Sequence, residues 1–522
     1  MLSVGRGFND KRVYALLCLQ LFLLACELKQ PPGATLSKQA QLALGNAEPH
    51  AQKSHTDKSS ELGQVGTISD SLPFEPTGEK LASIAWRTWI YTDVGPQRTR
   101  LGYLRAGAVV DARGPRIENP GCKGGWLRIN PRGFVCLGKG ATVDLDHPIV
   151  RQYATGPRRG EGFPYVYAKS RSRPPERYFR LPSGRQMQDI EGKSVLQRAA
   201  NWRVRAERQG LLERLGIAEG PPDFLGPDDV LEKAYGVRAP LRRHLHSGRA
   251  SAESGFALMS TFFWAGRGFG LSSEMDILAL DRLELVDEPS PFGLVINQEP
   301  PPEIAFFVKG ATTLWRKNEE GDMVVDSELR SQRGFVLTGK KESGGLVETQ
   351  EGLWLARSSL RTLAPRTSFP SIATGRRKWI DVSIKNQLLV AYEGKRPVYA
   401  TLISAGRGGL AKKGDSNPEG NRTVAGTYMI HQKELSSTMD GDDERADSFD
   451  LRDVPHVQYF HRGFALHGAY WHDDFGKKRS HGCINLAPTD SAWLFEWTDP
   501  PVPQGWHAAL NKKRGTVVHI RY

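Results

Sequence analysis

Long apolar runs are missing from all but the start of this chain. The one run, residues 13–25, falls well short of the ~20 residues that span a bilayer. No later segment is long and apolar enough to do so, which excludes a body embedded through membrane-spanning helices. Preceded by Arg6, Lys11 and Arg12, the run reads as the core of an export signal. Aromatic residues are nearly absent from residues 27–75, a stretch of Gln, Ser, Ala, Lys and His that has no material for a core and reads as a flexible tether. Acidic residues are outnumbered, 58 Asp and Glu against 71 Lys and Arg, for a net charge of +13. With no motif that reads nucleic acid in an exported chain, nucleic acid is excluded as the partner. The surplus either draws the protein to an anionic wall or lipid surface or simply solubilises it.

Cysteine is scarce, five in 522 residues, so each one can be assigned. Cys18 lies inside the export signal and Cys26 at its end. Leu23-Leu24-Ala25-Cys26 resembles the lipobox of bacterial lipoproteins, which makes Cys26 the expected lipidation site and residues 1–26 the signal peptide. An ordinary secretory signal cleaved elsewhere is the alternative, and both export the protein. By the same resemblance Glu27 carries no inner-membrane retention signal, so a periplasmic protein anchored in the outer membrane is expected. Cys122 and Cys136 flank a hairpin-like segment, and a disulfide there would contribute ~3 kcal/mol. Cys483 is left over. An odd cysteine in an exported chain is a candidate reactive thiol, with a buried inert side chain as the other reading.

The length calls for several domains. Residues 76–148 carry short apolar runs broken by Gly and Pro, such as Trp89-Ile90-Tyr91 and Gly125-Trp126-Leu127, and read as strands of a small barrel. This segment resembles bacterial SH3-like domains, which serve as spacers or ligand binders. Residues 149–300 form a mixed region with a polar helical stretch at 195–215, a Phe-rich stretch at 256–269 and no catalytic constellation. Residues 301–366 return to strands and tight turns as a candidate second SH3-like unit; Leu360-Arg361-Thr362-Leu363 echoes Leu283-Glu284-Leu285. From 376 the alternation is clean. Ile380, Val382 and Ile384, then Leu388, Val390 and Tyr392, then Val398, Ala400 and Leu402 predict a three-strand meander opening a β-rich domain over 376–522. The fold class expected is multidomain and mainly β.

The chemistry concentrates in that last domain. Ser480-His481-Gly482-Cys483 follows His467-Gly468 at close range. A thiol nucleophile needs an imidazole to take its proton, and the small Gly lets a carbonyl approach backbone N–H groups. Five of the thirteen His fall at 456, 461, 467, 472 and 481. A zinc site using three of them with Asp473 or Asp474 is the competing reading, but their spacing matches no metal-ligand motif.

His467-Gly468 with Ser480-His481-Gly482-Cys483-Ile484-Asn485-Leu486 resembles the signature of the L,D-transpeptidases, the YkuD-type catalytic domain. The upstream family element appears as Thr423-Val424-Ala425-Gly426-Thr427-Tyr428, with Val424 where the family has Pro. The resemblance implies Cys483 as nucleophile, and His467 as general base oriented through the carbonyl of Gly468. It implies that His481 and Ser480 shape the pocket, that the amides of Gly482 and Cys483 donate to an oxyanion, and that Asn485 meets substrate. Tyr459, Tyr470 and Trp471 are candidates for the cleft wall, and Arg479, in a basic turn, for a substrate carboxylate. No metal or cofactor is implied. The implied substrate is a peptidoglycan stem tetrapeptide, which loses D-Ala to form a thioester and then passes to an amine of a second stem or of a protein. Water as acceptor would make the protein an L,D-carboxypeptidase. An inactive wall-binding lipoprotein is the third reading. Pro488-Thr489-Asp490 is read as the cap of a helix running to Trp497.

Overall fold

The computed structural model describes residues 76–237, 245–287, 293–308, 310–415, 418–440 and 450–522. The expected signal, lipobox and tether lie outside the described residues. Among these, no helix is long and apolar enough to cross a membrane. The architecture is mainly β, as its alternating sequence leads one to expect.

In the C-terminal part, strands Lys378–Ser383, Leu388–Glu393 and Arg396–Ser404 form the antiparallel meander. Val517–Arg521 pairs in parallel with the first of them, setting the last strand beside the start of this meander. Leu294–Val295 pairs with Arg396–Ser404, so this sheet recruits residues that the composition had grouped with the mixed region. Asp450–His461, Phe464–Gly468 and Ile484–Leu486 continue the network. One face buries Ile380, Val382, Leu389, Leu466, Ile484 and Leu486 with Leu494 of helix Pro488–Trp497. Pro488 opens that helix, but Thr489 and Asp490 do not cap it: the N-cap is Ala487, without a side-chain bond. Asp490 instead turns inward and accepts from Tyr399 Oη at 2.9 Å, Gly293 N–H at 3.1 Å and Thr401 Oγ1. A buried carboxylate gains more from these three donors than from a solvated amide at a helix start.

Residues 76–142 make a curled antiparallel sheet around Leu81, Ile90, Leu104, Val110, Leu127, Ile129 and Val135. Cys122 and Cys136 are disulfide-bonded, with Cα atoms 5.7 Å apart. The core of this sheet is completed from far along the chain: Trp506 is buried in it and donates Nε1–H to Asn130 O at 3.2 Å. Strand Arg100–Leu104 also pairs with Ala508–Leu510, which in turn pairs with Gln432–Asp440, so the two sheets run together. Gly102 permits that approach, because a Cβ there would sit 2.0 Å from Ala508 O.

The mixed region folds as helices Gly184–Glu191, Val195–Arg208 and Leu211–Leu215 against strands that include Gly255–Trp264 and Arg267–Ser272. The polar stretch at 195–215 is helical, and the Phe-rich stretch at 256–269 lies in two antiparallel strands, an assignment its composition alone leaves open. Residues 304–363 hold a separate seven-stranded sheet. Its first strand alternates cleanly. Ala305 and Phe307 fill its own core, while Ile304 and Phe306 pack on Trp379 and Val390 of the C-terminal sheet. The sequence echo is structural too: Leu283–Leu285 and Leu360–Leu363 each follow a strand and a 3₁₀ turn.

Candidate active site

Strands Phe464–Gly468 and Ile484–Leu486 run in parallel, with Leu466 opposite Ile484, His467 opposite Asn485 and Gly468 opposite Leu486. Leu466, Ile484 and Leu486 face the core. Side chains alternate along a strand, so Ala465, His467, Cys483 and Asn485 share the other face. The pairing of these two strands thus brings imidazole, thiol and carboxamide to one face.

His467 is buried, and its Nδ1 lies 3.0 Å from Gly468 O. A carbonyl only accepts, so Nδ1 carries the proton and Nε2 presents a lone pair. Burial pushes the imidazole down to about 4, against a smaller upward pull from Gly468 O. Cys483 is only partly covered at its outer edge. Packing around the sulfur nonetheless pushes its thiol up, the Ala465 backbone pulling weakly the other way. Sγ lies 3.7 Å from Gly463 O, a contact that suits a protonated thiol. Both shifts favour a neutral thiol beside a neutral imidazole at rest, rather than a preformed ion pair.

The turn before Cys483 is held from three sides. Ser480 Oγ donates to Cys483 O and accepts from Gly482 N–H at 3.1 Å. Thr423 Oγ1 donates to Gly482 O and accepts from Gly406 N–H, both at 2.9 Å. Arg407 N–H donates to Ser480 O at 2.9 Å. Gly482 has φ +134°, and a Cβ there would lie 2.7 Å from Phe464 Cε1, so only glycine fits. The Gly482 amide, expected to serve an oxyanion, is therefore already engaged by Ser480. Thr423 was visible only as part of an upstream element, and its role becomes clear once the fold brings it under the turn.

His481 is exposed, with Nε2 2.8 Å from Arg407 Nη2. A guanidinium only donates, so Nε2 accepts, and this imidazole faces outward along the rim. Arg479 is half-exposed and pairs with Asp474 at 2.9 Å. Tyr459 and Trp471 are partly buried and share an apolar cluster with Cys483. Trp471 lies 5.8 Å from the His467 ring, and Tyr470 packs edge-on to Trp471 at 5.2 Å. Behind Tyr470, at 4.3 Å, stacks Tyr167 of the mixed region. The region with no recognisable constellation thus backs the aromatic wall of the site.

Sequence reasoning marks His472 only as a candidate metal ligand and misses its place beside Asn485. Its Nε2 lies 2.9 Å from the carboxamide of Asn485, and its Nδ1 accepts from Asp474 N–H at 3.2 Å. Desolvation, with help from Arg479, lowers it to about 3. No cluster of three or more His, Cys, Asp or Glu suited to a metal ion occurs among the described residues. His456 and His461 lie on the neighbouring strand, His456 buried against Ser491.

Residues 377–520 match the family model described as the L,D-transpeptidase catalytic domain, a transferase class. No curated protein matches the chain. Among solved structures, the catalytic domain of an Enterococcus faecium L,D-transpeptidase is 22% identical, over 28% of this chain and 98% of that one, with a TM-score of 0.20. An L,D-transpeptidase from Xylanimonas cellulosilytica is 22% identical over 30% of this chain, TM-score 0.20, and the match spans 65% of its length. L,D-transpeptidase 3 from Mycobacterium tuberculosis, bound to a faropenem-derived adduct, is 17% identical over 46% of this chain and 91% of that one, TM-score 0.22. Likenesses of this order carry nothing about mechanism.

Proposed function

We propose that this chain is an exported cysteine L,D-transpeptidase acting on peptidoglycan stem tetrapeptides, tethered by lipid at Cys26 in the outer membrane and carrying SH3-like units at 76–148 and 301–366. The observation that carries the reading is the face shared by His467, Cys483 and Asn485, with Nδ1 of His467 bonded to Gly468 O, inside the stretch that matches the family model. His467 Nε2 takes the thiol proton while Sγ attacks the carbonyl between the diamino acid and the terminal D-Ala. The C–N bond breaks, D-Ala leaves with the proton returned by the imidazolium, and a thioester remains on Cys483. An amine, deprotonated by the same imidazole, then displaces Sγ to give a 3→3 cross-link or a protein conjugate. Splitting one acyl transfer into two steps is the gain from the covalent intermediate.

The test uses protein lacking residues 1–26, wild type beside Cys483→Ala, incubated with a purified disaccharide-tetrapeptide and read by mass spectrometry. Loss of D-Ala with a cross-linked dimer, absent from the variant, is the expected result. Loss of D-Ala without dimer makes water or a protein amine the acceptor. No turnover by a folded wild type defeats the proposal and favours the wall-binding reading.

A further inference from the structure

Asn485 is 2% exposed, and one polar atom of its carboxamide, Oδ1 as placed, has no hydrogen-bond partner. A buried amide atom left unpaired is costly, so such an atom beside His467 and Cys483 calls for a reason.

The partners of His472 say which atom it is. With Nδ2 facing His472, both imidazole nitrogens would accept, Nδ1 from Asp474 N–H and Nε2 from the carboxamide. A neutral imidazole has one N–H and one lone pair, so this requires an imidazolate. Nδ1 is fixed as the acceptor by a backbone amide, which cannot reverse. The ring proton therefore sits on Nε2 and must meet an oxygen. Turning the Asn485 carboxamide about its Cγ axis supplies that oxygen, since nitrogen and oxygen are told apart only by their hydrogen bonds. Oδ1 then accepts from His472, and the unpaired atom becomes Nδ2, an N–H donor in a desolvated place.

That donor lies on the reactive face. Asn485 is two residues beyond Cys483 on the same side of the chain, and His467 stands opposite it. The Gly482 amide, one of the two backbone amides expected to serve an oxyanion, donates to Ser480. We propose that Asn485, its carboxamide oriented by His472, donates Nδ2–H to the carbonyl oxygen of the acyl group that Cys483 attacks. The inference rests on the reading of Cys483 as an acyl-accepting nucleophile. In the step it serves, a C–S bond forms, the carbonyl π pair moves to oxygen and Nδ2–H stabilises the resulting oxyanion. The pair returns as the leaving group departs, and Nδ2 keeps its proton throughout. Asn485 is then a catalytic residue and His472 a positioning residue.

Two small reagents separate this role from a structural one, and neither needs a stem peptide. p-Nitrophenyl acetate acetylates a thiol through an oxyanion, with p-nitrophenolate leaving. Iodoacetamide alkylates it by displacement of iodide, with no oxyanion. Adduct formation on Cys483 is followed by mass spectrometry in wild type, Asn485→Ala and the near-isosteric Asn485→Asp, which keeps an acceptor for His472 but has no N–H. The expected result is acetylation slowed about 100- to 1,000-fold in both variants, the usual loss for one oxyanion donor, with alkylation within about 2-fold of wild type. His472→Ala should slow acetylation alone, and His472→Gln, which keeps a donor at the Nε2 position, should restore most of it. Unchanged acetylation, or an equal fall in both reactions, overturns the assignment. A wild-type Cys483 that reacts with neither reagent defeats the nucleophile reading itself. No loss of D-Ala in the tetrapeptide assay, with normal acetylation, defeats only the substrate.

Discussion

Replacing His456 by Asn should flatten the loss of stability on acidification by about 2 kcal/mol near pH 5. His456 is 2% exposed, donates Nδ1–H to Ser491 Oγ at 2.9 Å and sits beside the Phe495 ring. The proton direction follows from Ser491, whose own hydroxyl donates to Pro488 O at 2.7 Å. Burial, followed by the charge of Lys433, pushes this imidazole down to about 3 from its ordinary 6.5. Above pH ~6.5 both folded and unfolded chains hold it neutral. Below that the unfolded chain binds the proton and the folded one does not, so stability falls as pH falls through the window down to about 3. At pH 5 the gap is about 1.5 pH units, and at 1.36 kcal/mol per unit this is about 2 kcal/mol. That is a large share of a typical 5–15 kcal/mol. The backbone at His456 has φ +57°, which Asn tolerates better than most residues, so the substitution removes the ionisation without straining the strand. Urea unfolding followed by tryptophan fluorescence at pH 5 and pH 7.5 measures the difference. Wild type should lose about 2 kcal/mol more than the variant between the two conditions. Parallel losses would refute the reasoning.

Other perturbations test other parts of the molecule. Arg105 pairs with the fully buried Asp453 at 2.8 Å, and Ser273 and Ser436 complete that carboxylate's shell, so Arg105→Leu should cost about 3–5 kcal/mol in urea unfolding. Adding Asp453→Asn should recover part of the loss; no recovery would contradict the buried-charge account. Trp506→Ala should cost about 3–5 kcal/mol by emptying the core of the 76–142 sheet, and should make that segment the first cut by protease. Because packing raises the Cys483 thiol, its alkylation rate should keep climbing past the ~8.5 of an ordinary thiol. A plateau below pH 7 would mean a resting ion pair with His467 instead.

What could be read in advance was local. The meander at 378–404 shows in its short apolar runs and turns, but a single apolar face does not describe it. Ile380, Val382 and Leu389 fill one core and Trp379, Leu388 and Val390 another, so the strands are covered on both sides. The His-Gly and Ser-His-Gly-Cys motifs stand out because paired neighbouring strands carry them, so groups that must meet in space also fall within one short stretch of sequence. Three features were hidden because their partners are remote. Tyr167 reaches Tyr470 only through the packing of the mixed region. Trp506 looks like any aromatic in a turn until it fills a sheet hundreds of residues upstream. Asp490 carries the signal of a helix start, yet inward donors from Tyr399, Thr401 and Gly293 outcompete the cap. His472 had a readable signal as one of five clustered histidines, but only its contact with Asn485 separates it from the rest.

The central claim is that Cys483 carries an acyl group with His467 as its base. The most direct measurement is the intact mass of the protein mixed with a stem tetrapeptide and quenched in acid within seconds. The account predicts wild-type protein heavier by the tetrapeptide less D-Ala, with the adduct mapped to Cys483. In His467→Ala the adduct should form about 100- to 10,000-fold more slowly. An adduct on another residue, or one that forms at full rate without His467, would contradict the account.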